Sequence, residues 1–426
     1  MSENSPLKTY GWQIARAFIS FGVVIIYSRF LGAEGRGEMS VLLLYLQVVL
    51  MFVELFAGSA MSNWLVKYRP SQIIPWVYLY IFFIIALSAV VLNFVFHIDS
   101  KIIAILLSQG FALSMLNVEY NIHQSMGWIQ KRNKLQMTLE GLKLISLLIF
   151  VFFIPRQLNY HTNIEYILII LTLVSFFILS ISTKFITHEI HKKGFPPEAP
   201  PKGIFFEGIW AQLGHFVLFL VSKAPLWLVA KYLGDSQAGV FANALLIADT
   251  IWIFPGSFGT IIHSRVIRNS NETYHQRLLK RYIEISFIGT LLIGLLMVMT
   301  PNFIFTGIFG ENFTLLKYDT ILILPGILFI SMSSTIGNYL HATNRFKELL
   351  RNHALSLCAL LGVIWVGFQY KLSIEMVALG MNLAFLTLLI LHLYTINWQF
   401  NKGLELRFNI LLFRRLVVIR LRKSKG

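Results

Sequence analysis

The sequence predicts an all-α integral membrane protein of twelve spanning helices, and three observations carry that expectation. The 426 residues are 56% hydrophobic and 13% charged, whereas an ordinary soluble domain carries about a quarter charged residues. Mean hydropathy is +0.68. The apolar residues fall in runs of about 17 to 25, the length that crosses a bilayer core. So few charges cannot cover a water-facing surface of this size, and the 36 Phe and 9 Trp suit a lipid-facing exterior with interfacial anchors.

In chain order the predicted spans are 11–31, 39–66, 74–96, 102–123, 138–154 and 164–184, then 204–231, 239–262, 282–300, 318–340, 353–370 and 375–396. Turn or polar clusters such as Gly32 to Gly37, Lys67 to Ser71 and Gln130 to Lys134 separate them. Span five is the shortest and its ends are the softest. Span one has the length of a secretory leader. However, Arg16 interrupts its apolar core, no small-x-small cleavage pattern follows, and eleven further spans need an anchor anyway. It is read as retained. Cys358, the single cysteine, lies in an apolar run and can form no intrachain disulfide; it is expected in the buried core.

A formal charge of +16 raises nucleic acid as a partner, and the distribution of charge answers it. With the N-terminus inside, cytoplasmic segments hold 26 Lys and Arg and the opposite side holds seven. That asymmetry is the positive-inside pattern. It fits both termini in the cytoplasm and requires no nucleic acid.

The chain divides near its middle. Residues 1–187 form an N-lobe of spans one to six, 188–203 a cytoplasmic connector, 204–400 a C-lobe of spans seven to twelve, and 401–426 a basic tail. The connector, His188 to Lys202, packs four prolines into six residues, which forbids helix. In the tail the run Phe408 to Ile419, split by Arg414 and Arg415, is too short and charged to span. It reads as an amphipathic helix on the anionic inner leaflet, with a solvated basic tail as the alternative. An offset of 202 superposes Arg29-Phe30-Leu31-Gly32 on Lys231-Tyr232-Leu233-Gly234, and Gly37 on Gly239. Each half thus leaves its first span through the same pattern, with a glycine where a tight positive-φ turn is needed. Six is even, so the halves enter the membrane in one orientation. The expected architecture is two six-helix lobes about an axis along the membrane normal, with a central cavity.

Ionisable groups inside spans are costly and point to a cavity or a partner. They are Arg16, Glu54, Glu119, Glu140, Lys143, Glu207, Lys223, Asp249 and Glu284. Glu140 and Lys143, three apart, read as a local pair. Glu207 and Glu284 lie near span ends and can snorkel. Arg16, Glu54 and Lys223 lie deeper, where a functional charge and a structural ion pair are both open readings; Asp249 and Glu119 follow. Asn63, Asn117, Asn121, Gln124, Asn243 and Asn338 could contact a polar cargo, although helix–helix bonding explains any one of them more simply. No Walker glycine loop, His-Glu-x-x-His or paired cysteines are present. The histidines look scattered, so no metal and no cofactor are assigned.

Ser28 to Glu38, SRFLGAEGRGE, resembles the signature that follows the first helix of bacterial oligosaccharide flippases. These form the polysaccharide-export branch of the multidrug/oligosaccharidyl-lipid/polysaccharide exporter superfamily. Lys231 to Ala244, KYLGDSQAGVFANA, is similar to the second signature after helix seven, and Gly307 to Pro325 to the Phe-Gly-x-x-Phe loop and helix-ten start. The resemblance runs nearly end to end. It implies a MATE/MOP-like fold in the inner membrane, and transport of an undecaprenyl-pyrophosphate-linked oligosaccharide, an O-antigen or capsule repeat unit, by alternating access. It further implies a cationic cavity carried over to Arg16, Arg29 and Lys223, with a glycan polymerase as a partner besides lipid. Many relatives place an acidic residue two positions after the helix-seven cation, where this chain has Pro225. Ion coupling would then fall to Glu54, Glu119 or Asp249. A cation-coupled multidrug exporter is the alternative; interior carboxylates suit its cargo, and a Lys/Arg-rich cavity does not. A membrane-embedded glycan polymerase expects a large periplasmic loop, and none here exceeds about fifteen residues by the span limits above.

Overall fold

A computed structural model describes residues 6–57, 61, 65, 70–153, 160–191, 209–267 and 271–400. Among these the secondary structure is entirely helical. The helices are α1 (Pro6–Ala57), α2 (Pro70–Phe94), α3 (Ser100–Ser125), α4 (Ile129–Phe153), α5 (Tyr160–His191) and α6 (Ile209–Leu233). They continue with α7 (Asp235–Ile267), α8 (Glu272–Met299), α9 (Asn302–Phe309), α10 (Leu316–Ala342), α11 (Phe346–Tyr370) and α12 (Ile374–Phe400). All but the eight-residue α9 are long and apolar enough to cross a membrane, which gives 11 candidate helices. The apolar stretch of α1 runs 43 residues, Ile14–Phe56, about twice one crossing. Gly32 breaks it with φ 71° and ψ −173°, a conformation open essentially to glycine alone. Spans one and two are therefore both in α1, on either side of Gly32.

Two helices depart from the expected spans for one reason. α4 begins at Ile129 and α8 at Glu272, several residues before the apolar runs, because their basic and polar starts continue the helix. The Gln130 to Lys134 cluster is thus helical. Glu284 lies three turns inside α8 and is buried, and does not snorkel from an end. α5 continues to His191. The rest of the connector, with Glu207, and the basic tail lie outside the described residues, as does Asn63.

The chain forms two compact units. Unit 1 comprises Met1–Gln212 with Asp235–Gly239 and Ile308–Asn312. Its α1 packs on α2, α3, α4 and α5. Val23, Tyr27 and Leu31 before the break share a core with Met39, Leu42 and Leu46 after it, so both arms of α1 pack into one cluster. α2 is apolar on every side: Ile73, Val77, Ile81 and Ile84 are buried, while Trp76, Leu79, Phe82 and Phe83 are exposed. That is a helix with a protein face and a lipid face. The start of α7 belongs to unit 1, and the contact is reciprocal. A Cβ on Gly37 would lie 1.9 Å from the Asp235 carbonyl oxygen, and one on Gly239 would lie 1.8 Å from the Ala33 carbonyl oxygen. The offset of 202 carries Gly37 to Gly239 and Ala33 to Asp235, so the two repeats touch through matching backbone. Gly234, the counterpart of Gly32, also has positive φ, 92°. The turn expected at both glycines is present at both.

Unit 2 comprises Leu213–Gly234, Val240–Gly307 and Phe313–Gly426. In it α10 packs on α8, α11 and α12, and α11 on α12. Pro325 interrupts α10, and Asn382 of α12 fills the break. Its amide oxygen accepts from the Gly326 N–H at 2.8 Å, and its amide nitrogen donates to the Leu322 carbonyl at 2.8 Å. Backbone groups opened within a membrane helix are satisfied in this way by a neighbouring helix. Cys358 is exposed, not in the core. An apolar run on a lipid-facing helix reads the same in sequence as one in a protein interior.

Candidate functional site

Some charged groups of unit 1 join one polar cluster that runs from the ends of α1, α3 and α4 to the middle of α4. Trp12, Arg16 and Ser20 repeat every four residues and share one face of α1. Each meets α4: Trp12 Nε1 donates to Gln130 at 3.0 Å, Arg16 Nη1 to Gln136 at 2.8 Å, and Ser20 Oγ to Glu140 at 3.0 Å. Glu140 also pairs with Lys143 at 2.9 Å, the local pair expected from their spacing. Arg132, one turn into α4, donates to Gln124 of α3. Its charge and that of Arg16 are close enough to repel, and Tyr120 of α3 lies within electrostatic reach of both and of Glu140. Lys143 is paired with Glu140, Glu119 lies within electrostatic reach of the same tyrosine, and Arg16 and Arg132 are held by neutral amides. Arg132 Nε and the Tyr120 hydroxyl are buried with no hydrogen-bond partner. Arg132 was hidden in the sequence because its basic cluster reads as a cytoplasmic loop.

The remaining expected residues separate. Arg29 is exposed near the end of the first arm of α1, apart from this cluster's hydrogen bonds. Glu54 accepts a weak 3.4 Å bond from Gln212. Glu119 is buried on α3, where Thr183 of α5 donates to it. Among the candidate cargo contacts, Asn243 is buried, and Asn338 donates to the Ser334 carbonyl of its own helix at 2.8 Å. Arg36, another cation the loop reading concealed, is buried with its guanidinium 5.0 Å from the Tyr27 ring centroid.

In unit 2, Lys223 of α6 and Asp249 of α7 form an ion pair at 2.6 Å, with side chains 21% and 49% exposed. Two residues expected to act separately thus neutralise each other, and Asp249 remains the more open partner. Lys231, the counterpart of Arg29, lies 4.7 Å from the Trp227 ring centroid, a cation–π contact at the end of α6.

No protein-family model matches the chain, and no curated protein matches it. Solved structures do. The chain is similar to an inward-facing multidrug resistance MATE family transporter of the MOP superfamily, at TM-score 0.65 and 10% identity, covering 91% of this chain and 94% of that one. It is similar to the lipid II flippase MurJ in an inward closed conformation, at TM-score 0.66 and 15% identity over 92% and 87% of the two chains. A variant of the Vibrio cholerae MATE transporter VcmN gives TM-score 0.64 and 15% identity over 95% and 98%. The chain has the MATE/MOP fold. The expected architecture of membrane helices in that fold is borne out.

Proposed function

We propose that the protein is a flippase that moves a lipid-linked oligosaccharide carrying a diphosphate across the membrane by alternating access, with cytoplasmic termini in a bacterial inner membrane. The observation that carries this reading is the excess of cations in unit 1. Arg16, Arg132 and Lys143 outnumber the carboxylates Glu140 and Glu119, in helices that cross the membrane. Unneutralised cations at low dielectric attract a diphosphate strongly, and a guanidinium offers it a two-pronged donor set. Glu140 and Lys143 lie at mid-α4, but Arg16 and Arg132 lie near the N-terminal ends of α1 and α4, beside the C-terminal end of α3. In the orientation set by the positive-inside pattern, that is the cytoplasmic end, where such a cargo would load. The lipid tail stays in the bilayer and only the polar head crosses.

The test is complementation of surface glycan export with Arg16→Ala, Arg132→Ala and Lys223→Ala, checking membrane insertion of each. Loss of one charge-assisted contact costs about 1.5–3 kcal/mol, so export should fall by at least tenfold in each. Normal export in the Arg16 and Arg132 variants would sink the cationic mechanism. A multidrug exporter for cationic compounds would instead need an accessible, uncompensated carboxylate. Glu119 is buried and Asp249 is held by Lys223, which leaves Glu54, with its weak Gln212 bond, as the carboxylate such an exporter would use; drug susceptibility in a deletion strain separates the two readings.

A further inference from the structure

Where α1 resumes after Gly32, its second arm meets the starts of α5 and α7, all within unit 1. His161 Nδ1 and Glu38 Oε2 form an ion pair at 2.9 Å, with side chains 56% and 24% exposed. One residue earlier, the Tyr160 hydroxyl donates to Glu34 at 3.3 Å, and a Cβ on Gly35 would lie 3.4 Å from the Tyr160 ring. Glu34 and Glu38 are four apart and share one face of the helix, so the first turn of α5 is fastened along that face. The Asp235 carbonyl oxygen fills the space beside Gly37. The Asp235 carboxylate lies within electrostatic reach of Glu34, Glu38 and His161. One imidazole thus stands among three carboxylates.

We infer that the His161–Glu38 pair is a pH-sensitive latch that holds the start of α5 on the second arm of α1. Histidine is the side chain that ordinarily changes charge in the range around neutrality. While His161 is charged, it attracts Glu38 directly and offsets the mutual repulsion of Glu34, Glu38 and Asp235. Once it loses its proton, the pair keeps at most a neutral hydrogen bond, and three like charges face one another across the junction. Closing the junction and charging His161 therefore favour each other. The junction is firmest on the acid side of neutrality and loosens as pH rises through the titration of His161.

The charges on the surrounding elements do not take the place of His161. α5 packs on α1, α3 and α4. At this end α3 brings Asp99 and Lys101, and Lys101 is paired with Glu165 of α5. α1 brings the exposed Arg29 and the buried Arg36, whose guanidinium lies over Tyr27 and donates to Ser40. Among the described residues α4 has no charged side chain after Lys143. The segment Ile308–Asn312 of unit 1 reaches Gly32, where a Cβ would lie 3.1 Å from Asn312 Nδ2; it adds the exposed Glu311, a further negative charge. The latch therefore acts at an acidic junction, and it acts where the two sequence repeats touch through Gly37 and Gly239. In the proposed orientation this is the outer face, so the latch reads the pH outside.

The test is hydrogen–deuterium exchange of the full chain in lipid nanodiscs, read by mass spectrometry from about pH 6 to about pH 9, with labelling times scaled to the intrinsic exchange rate. Both faces are in buffer and no cargo is present, so neither the orientation nor the flippase reading enters the outcome. Protection of the peptides that cover the starts of α5 and of the second arm of α1 should fall by about threefold across this range, the scale of a half-exposed ion pair. Protection of α10 in unit 2 should stay level. His161→Gln should show the lower protection at every pH, and His161→Lys, charged throughout, should keep the higher protection at the alkaline end. His97→Asn, which leaves the pair intact, should retain the wild-type profile. A wild-type profile without a step would overturn the latch. So would a step that survives in His161→Gln, or a parallel loss of protection in α10. The wild-type profile and the His161→Lys protein decide the matter even if His161→Gln fails to fold.

Discussion

Lys223 and Asp249 pose the sharpest question at the scale of single residues. If Lys223 binds the proposed cargo, the Asp249 carboxylate holds the place of a diphosphate oxygen. Under the proposed function an anionic cargo would compete with Asp249 for Lys223. Asp249→Asn removes the competitor while preserving shape. Its expected effect is tighter binding of undecaprenyl pyrophosphate, by about tenfold for one freed charge-assisted contact, whereas Lys223→Ala should weaken it. Native mass spectrometry of the purified protein with that lipid, and with the monophosphate as comparison, measures both. Equal loss in the two variants would mean that the pair positions α6 and α7 and does not contact cargo. Single residues were also the least legible feature of the sequence. Lys223 and Asp249 are 26 residues apart, and nothing in their spacing says that they meet. Arg132 and Arg36 were counted as loop charge because composition cannot separate a basic helix start from a basic loop. His161 and Glu38 come from different helices, so only their packing brings them together.

Helices and turns were far more legible, because their determinants are local. Each apolar run became a helix, and Gly32 and Gly234 took the positive φ that their shared pattern required. The boundaries moved where polar residues extend a helix beyond its apolar run, as in α4 and α8. What a one-dimensional pattern cannot reveal is which glycine is a turn and which is a point of contact. Gly37 and Gly239 are contact points. Backbone oxygen occupies the site of a β-carbon at both, and backbone cannot swing aside as a flexible side chain would. Gly37→Ala and Gly239→Ala should each destabilise the protein by about 1–3 kcal/mol, the usual cost of overpacking. The reciprocity of the contact predicts similar losses, and a double variant less damaging than the sum, since one displacement relieves both clashes. Gly256→Ala in α7, where a Cβ meets nothing within 4 Å, is the control and should be neutral or mildly stabilising. Thermal unfolding in detergent compares the four; an intact Gly37→Ala protein would remove the close crossing from the account of unit 1.

For the whole molecule, fold and orientation rest on different physics. The fold follows from helix length and burial, which the similarity to MATE-fold structures bears out. Orientation follows from where Lys and Arg were left during insertion, and helix packing alone does not encode it. It also bears on the proposed function: with cytoplasmic termini, Arg16 and Arg132 lie at the side where a lipid-linked cargo would load. Cys358 is first replaced by Ala, so that the introduced cysteine is the single thiol of the chain. Single cysteines are then placed at Lys101, before the body of α3, and at Lys347, at the start of α11. Both positions are exposed, and the positive-inside pattern puts them on opposite sides. A membrane-impermeant maleimide added to intact cells should label the Lys101→Cys protein, and should reach the Lys347→Cys protein only after permeabilisation. The reverse pattern would turn the molecule over and place the basic cluster at the wrong face for loading; labelling of both from outside would mean that the charge asymmetry does not fix the topology.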